Sequence, residues 1–382
     1  MKITIDKASF VDAVKWTLAG VDANNGSSTI HLDVKDSTEI ELSASSPSGE
    51  RSYTFPAVID DYDEGTVFDL LASDLKKLPS QITSQDVTIE YNDKKSRSEI
   101  FVNVGVKLKL SLFASSVLTA KGTKGMTLLG NLVPADLFSA VSKLVISTDQ
   151  KAADSRLSAL DFKTDGKGTL TIVGLDTYNV SLREIQYNAD STEEARFLLP
   201  ASEISNMSSA KNTLSVDVYE NKSSVLFSFD DGHVARVNKE MADPIAYEGL
   251  LYGDREDLHV DANTADLLSA VNRLAAWTTD EDDLSFTIDP SNSKLTVHSQ
   301  SGDWSESVAI ENADMGDEPL DVNFPKTVIS KALRSVDSDT VRIRFKRGPE
   351  DIRDSVFIFD QIDGNNEPDK TVYIMCTPTI EE

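Results

Sequence analysis

Residues 135–144 read ADLFSAVSKL, and residues 265–274 read ADLLSAVNRL. Seven of the ten positions are identical, at an offset of 130 residues. A fainter copy, ASFVDAVKWT, starts at Ala8, with Ala13 and Val14 in register and an offset of 127. A second element repeats behind the first: Ala72-Ser73-Asp74-Leu75 matches Ala201-Ser202-Glu203-Ile204, and Lys326–Val336 (KTVISKALRSV) is a weaker third copy. A period this long is too great for a solenoid and marks a repeated domain. The repeat divides the chain into residues 1–123, 124–254 and 255–382.

The repeated elements read as helices. Leu137, Val141, Leu144 and Val145 fall on one face of a 3.6-residue period, as do Leu267, Val271 and Leu274. Pro134 and Asp136 suit a helix start, and Asn263 or Thr264 can cap the third copy. Val328, Ile329, Ala332 and Leu333 give the last helix its apolar face. Between helices the chain alternates with period two, clearest at Thr29–Val34, Glu39–Ser43, Val87–Tyr91, Lys107–Leu112, Thr169–Val173, Ser223–Phe229, Lys294–Val297, Thr340–Phe345 and Ser355–Phe359. Each unit therefore reads as α+β, with two helices on antiparallel sheet. Linkers are expected near Ala114–Gly125 and Gly253–Asp257.

Composition narrows the function. The 382 residues carry a formal charge of −27, so bulk attraction cannot hold nucleic acid. The single cysteine, Cys376, excludes an internal disulfide and a thiolate metal cluster, which fits a reducing cytoplasm. Met1–Asp6 shows no signal-like apolar stretch, and no apolar run approaches the ~18 residues of a membrane span. Yet the six repeated helices (7–19, 72–82, 135–148, 201–211, 263–277, 326–337) sum to +4, leaving −31 elsewhere. They carry Lys15, Lys76, Lys77, Lys143, Lys211, Arg273, Lys331 and Arg334. Ordinary helix propensity for Lys and Arg explains part of this bias. The functional alternative is a helix-built surface that must tolerate phosphates, on a body that repels nucleic acid elsewhere.

Catalytic constellations are missing. His31, His233, His259 and His298 are scattered, without metal-ligand spacing. Asp280-Glu281-Asp282-Asp283 lacks the alternate ligands and glycine of a calcium loop. Gly166-Lys167-Gly168-Thr169 lacks phosphate-loop spacing and joins two strands. Asp176 and Tyr178 have no accompanying nucleophile or oxyanion donors. The expectation is a non-enzyme without metal or cofactor.

With three repeats, two helices in each and a length of 382, the chain resembles the bacterial-type sliding clamp, the β subunit of DNA polymerase III. Leu157–Phe162 followed by Thr169–Thr177 is similar to the family's strand pair, and Phe324-Pro325-Lys326 and Ile374-Met375-Cys376-Thr377-Pro378 are similar to its last helix and ending. The resemblance implies a head-to-tail homodimer of three-domain subunits around double-stranded DNA. Such a ring holds by topology, with sparse phosphate contacts, and tethers a DNA polymerase at raised effective concentration. It implies a pocket between the second and third domains for short peptides from the polymerase and the clamp loader. The matching positions are Leu157, Leu175, Thr177, Tyr178, Val180, Pro244, Val328, Met375, Cys376, Pro378 and Ile380. It also implies a dimer interface at Leu108, Leu110, Leu274 and Trp277, with the edge strand Lys107–Leu112.

The departures from the family are local. Its Gly-His-Arg-Leu is replaced by Thr177-Tyr178-Asn179-Val180, and Ile245-Ala246-Tyr247-Glu248-Gly249 lacks its paired arginines. The chain ends Ile380-Glu381-Glu382. These imply a divergent member serving its own polymerase, as in a mobile or viral replicon. The competing reading is a β-rich viral structural or adhesion protein without DNA binding, and the helix charge bias speaks against it.

Overall fold

The computed structural model describes residues 1–25, 27–61, 66–94, 97–110, 112–113, 122–248, 258–279, 283–299, 302–346, 356–362, 367–369, 372–376 and 378, with backbone alone at 92–94, 97–99, 112–113, 372–373 and 375–376. The expected linkers therefore lie largely outside the described residues, as do Ile380 and most of the acidic run at 280–283. Contacts group the chain into two compact units. One is Met1–Phe138 with Tyr187–Thr192 and Glu203–Lys239; the other is Ser139–Gln186 with Glu193–Ser202 and Glu240–Glu382.

Seven α-helices are present among the described residues: α1 Lys7–Leu18, α2 Ala72–Leu75, α3 Pro134–Leu144, α4 Ser155–Ser158, α5 Ala201–Ser205, α6 Thr264–Ala275 and α7 Lys326–Ser335. Local chemistry sets their ends. Asp6 accepts the Ser9 amide at 3.0 Å to cap α1, and Asn263 accepts the Asp266 amide at 3.0 Å to cap α6. The expected helices at 72–82 and 201–211 are shorter than their apolar spacing suggests. The first gives way to a 3-10 turn at Pro79–Gln81, where proline has no amide to donate. The second gives way to Ser208–Ala210, within a run of Ser and Asn whose side chains compete for backbone bonds.

In the first unit a five-stranded antiparallel sheet runs Val58–Asp60, Lys2–Asp6, Asp86–Lys94, Arg97–Asn103, Lys107–Leu110. A ten-stranded sheet carries Thr29–Val34, Glu39–Ser46 and Gly49–Pro56 side by side, and continues through His233–Asn238, Ser224–Phe229 and Val216–Glu220 to Thr127–Leu132. Phe10, Ala13 and Val14 of α1 and Ala72 and Leu75 of α2 pack into the core with Ile30, Leu32, Phe68, Val87 and Ile89. Lys107–Leu112 is broken: a first strand ends at Leu110, and Leu112–Phe113 pairs instead with Asp69–Leu70.

In the second unit a twelve-stranded sheet carries Ala159–Thr164, Thr169–Leu175 and Asn179–Gln186, then Val372–Cys376, Phe357–Gln361, Thr340–Phe345 and Leu258–Asn263, and ends beyond Ser305–Asp314 with Lys294–Ser299, Asp283–Asp289 and Leu320–Pro325. Helices α6 and α7 bury Leu267, Val271, Leu274, Ile329, Ala332 and Leu333 in one core with Phe286, Phe324 and Phe359. The architecture is α+β, as the repeat implies.

Candidate functional site

Each large sheet is continuous across a repeat boundary. In the first unit Gly49–Tyr53, from the third strand of its sheet segment, pairs antiparallel with His233–Val237. In the second unit the equivalent third strand, Asn179–Arg183, pairs with Val372–Cys376, the last strand of the next repeat. The rule is the same both times: third strand of one repeat to last strand of the next. It leaves one strand of each kind. Lys107–Leu110 ends the five-stranded sheet with its outer side unpaired among the described residues. Ser305–Ala309 pairs with Lys294–His298 on one side and has no partner among the described residues on the other.

The first joint is buried. The Arg51 guanidinium donates to the carbonyls of Asn206 and Glu203 at 3.0 and 2.9 Å and to the Glu203 carboxylate at 3.2 Å. A cation thus closes the carboxyl end of α5, where the helix dipole is negative. Burial lowers its pKa even with Glu203 beside it. The Trp16 indole donates to the Ser52 carbonyl at 2.9 Å. His233 stacks on Tyr53 at 3.7 Å and bonds Asp231 through Nδ1 at 2.9 Å. Burial, and then the charges of Asp231 and Asp12, push the Tyr53 hydroxyl up to about 12.

The second joint is wetter. Arg183 donates to the carbonyl of Ser335, the last residue of α7, at 2.7 Å and pairs with Asp337 at 2.8 Å. Lys143 shares Asp337 at 2.5 Å, and Lys331 holds Asp176 at 2.6 Å.

The eight basic residues proposed from the sequence separate into two groups. Lys15, Lys76, Lys77, Lys211, Arg273 and Arg334 are exposed on or just past their helices. Lys143 and Lys331 are half-buried and tied to Asp337 and Asp176, so their charge is already answered within the chain. Arg273 is paired with Glu306.

Of the peptide-pocket positions, the fold brings Leu157, Leu175 and Val180 into one apolar cluster with Val173, Leu182, Ile245, Tyr247 and Val356. Thr177 and Tyr178 are exposed beside it, on the turn into Asn179, with Tyr178 51% exposed. Val328 belongs elsewhere, in the core of α6 and α7. Pro244 and Pro378 are half-buried, and Met375 and Cys376 are placed by backbone alone, in the strand beside Asn179–Val180. Sequence reading missed Tyr247. Its ring is 2% exposed, and its only signal was a lone aromatic following Pro244.

Arg196 straps this segment down. Its guanidinium lies 5.4 Å from the Tyr247 ring centroid, pairs with Glu248 at 2.8 Å and with buried Asp161 at 2.7 Å, and reaches the Ile245 carbonyl at 3.4 Å. Burial pushes the Asp161 carboxyl up against the pull of Arg196. Glu248 is held low: partial burial opposes this, and backbone amides and Arg196 outweigh it.

At the expected dimer interface, Leu110 and Leu274 are already buried in the cores of their own repeats, and Leu108 packs against the first. Trp277 is 73% exposed and stacks on Trp304, itself 55% exposed, at 5.7 Å. Trp304 immediately precedes Ser305–Ala309, the stretch paired on one side only among the described residues. Among the described residues no group of His, Cys, Asp and Glu could hold a metal ion, and no helix is long and apolar enough to cross a membrane.

No family model matches the sequence, and no curated protein matches it. Among solved structures, the fold is that of the bacterial DNA polymerase III β-subunit sliding clamps, over the full chain. The C. crescentus beta sliding clamp superimposes with a TM-score of 0.84 at 15% identity, covering 100% of this chain and 99% of that one. The β subunit from the DNA polymerase of Streptococcus pyogenes gives 0.82 at 18% identity, covering 99% and 100%. The Helicobacter pylori beta clamp bound to a DNA ligase peptide gives 0.80 at 15% identity, covering 100% of both chains.

Proposed function

We propose that the chain is a DNA sliding clamp, a non-catalytic processivity factor built of three clamp domains at 1–123, 124–254 and 255–382. Two copies close head to tail around double-stranded DNA and tether a replicative DNA polymerase, and its loader, through short peptides received at the Leu157, Leu175 and Val180 cluster. It acts in the cytoplasm and needs no cofactor.

The observation that carries this reading is the repeated joint. Two joints are made within the chain, and the two strands left over are of the two complementary kinds. Pairing Lys107–Leu110 of one copy with Ser305–Ala309 of another repeats the rule. It also covers the exposed Trp277–Trp304 pair, the kind of aromatic surface that anchors interfaces.

The partner-peptide role rests on the apolar cluster, since such pockets suit short peptides with apolar anchors. The DNA role rests on the exposed Lys15, Lys76, Lys77 and Lys211. These are too few for tight salt-stable binding, which suits a ring held by topology.

The test joins mass to topology. Light scattering is expected to give twice the 41.7 kDa chain mass, falling to one copy in Trp277→Ser/Trp304→Ser. With a loader and ATP, the protein is expected to stay on nicked circular DNA through a high-salt wash and to slide off once the circle is cut. Retention independent of circularity would defeat the clamp reading. A mass that the double variant leaves unchanged would defeat the interface.

A further inference from the structure

The apolar cluster proposed to receive partner peptides is already filled by a side chain of this protein. Tyr247 is 2% exposed and packs with Val173, Leu175, Val180, Leu182 and Val356. It sits outside the strands, in the stretch that follows the isolated bridge from Glu240 to Leu198. A loop residue buried this deeply needs a fastening, and Arg196 supplies one. The guanidinium covers the ring, pairs with Glu248 on the next residue and grips the Ile245 carbonyl two residues back. Its other side is anchored on Asp161, which is 2% exposed within the strand Ala159–Thr164.

The two ends of this fastening differ in kind. Asp161 is a buried anchor that cannot lose its partner cheaply. Glu248 is half-buried, and an ion pair at that exposure is weak and readily exchanged. The strap is therefore firm on the sheet and loose on the loop.

We infer that Tyr247 is a built-in gate: its ring occupies the peptide pocket in the free protein and must swing out before a partner's apolar anchor enters, with Arg196 as the positioning residue that holds it shut. The inference rests on the peptide-pocket reading above. A pocket closed in its resting state binds with an affinity reduced by the fraction of time it stands open. The partner chemistry that fits is a short peptide with an aromatic or large aliphatic anchor, able to replace the ring it displaces. Such a peptide captures the open state, so the apolar surface stays covered when no partner is present.

The probe is a fluorescent synthetic pentapeptide ending in Leu-Phe, with binding read by polarisation. Tyr247→Ala is expected to bind it at least tenfold more tightly than the unaltered protein, and Glu248→Gln severalfold more tightly. Adding Val180→Arg to Tyr247→Ala is expected to abolish the gain. Hydrogen exchange at Ile245–Tyr247 in Glu248→Gln, read without any peptide, is expected to quicken at least fivefold while Ala159–Thr164 stays protected. That second variant leaves the cluster intact and stands in if Tyr247→Ala does not fold. Equal binding by all forms, abolished by Val180→Arg, would keep the pocket and overturn the gate. Binding that survives Val180→Arg, or no binding by any form, would overturn the pocket and the gate with it. Unchanged exchange in Glu248→Gln would overturn the latch on its own.

Discussion

The two joints obey one pairing rule and are held by different physics. At Gly49–Tyr53 with His233–Val237 the cation is Arg51, its side chain 3% exposed, and the surroundings are the rings of Trp16, Tyr53 and His233. At Asn179–Arg183 with Val372–Cys376 the cation is Arg183, and its partner Asp337 is 40% exposed and shared with Lys143. Both arginines do the same task of closing the carboxyl end of a short helix from the next repeat. A buried charge is firm because removing its partner is costly. A hydrated charge network is forgiving. The proposed peptide pocket is built on the forgiving joint, since Val180 is both a pocket residue and a member of that strand pair. The rigid joint lies in the other unit.

The largest test of this contrast removes each arginine. Arg51→Ala leaves the Glu203 carboxylate and the carbonyls of Glu203 and Asn206 without their donor and is expected to destabilise the first unit by about 3–5 kcal/mol. Arg183→Ala is expected to cost the second unit about 1–2 kcal/mol. Urea unfolding, with hydrogen exchange read separately in each unit, checks both figures, and equal costs would break the comparison.

Glycines sharpen it next. A Cβ at Gly49 would lie 2.1 Å from the Arg236 carbonyl oxygen across the first joint, and one at Gly174 would lie 2.2 Å from the Leu144 carbonyl at the end of α3. Each alanine substitution is expected to cost about 1–3 kcal/mol. Only Gly49→Ala should quicken exchange along His233–Asn238, because only Gly49 sits in a joint.

Alkali separates the joints by titration. The Tyr53 hydroxyl has a folded pKa of about 12 against an ordinary 10.0. A raised folded value means the stabilisation is complete below pH 10 and is lost as pH climbs towards 12. The first unit is expected to weaken over that window in a thermal-melt series, and Tyr53→Phe should flatten the loss.

The smallest effect belongs to Asp337→Asn, which breaks two partly exposed ion pairs and is expected to cost about 0.5–1 kcal/mol. A larger loss would mean that the second joint is as rigid as the first.

Much of the fold was written in local pattern. The helix faces at Leu137–Leu144 and Leu267–Leu274, the Asn263 cap and the strands Thr29–Val34 and Thr340–Phe345 follow from periodicity and end chemistry, and the structure has them. The joints were not readable, because nothing local tells Gly49–Tyr53 that its partner lies about 180 residues on. Strand choice across repeats is decided by long-range burial, and Arg51 reads in the sequence as one more polar residue. The candidate site was half legible. Leu157, Leu175 and Val180 converge, whereas Val328 was drawn into its helix's own core by its place on the buried stripe of α7. Lys143 and Lys331 counted as free charge in a census that cannot see Asp337 and Asp176 folding back onto them. Tyr247 went unnoticed because an aromatic in a turn-rich stretch shows its burial only once the strap of Arg196 is in place.

The stacked indoles of Trp277 and Trp304 carry a last consequence. The chain has three tryptophans, and the third, Trp16, is fully enclosed. Its emission is therefore constant background, while the other two report directly on the solvent at one sheet edge. Assembly through that edge would shift their light to the blue, and dilution would shift it back. The proposed closure would thus carry its own optical gauge, readable in real time without a dye or a tag.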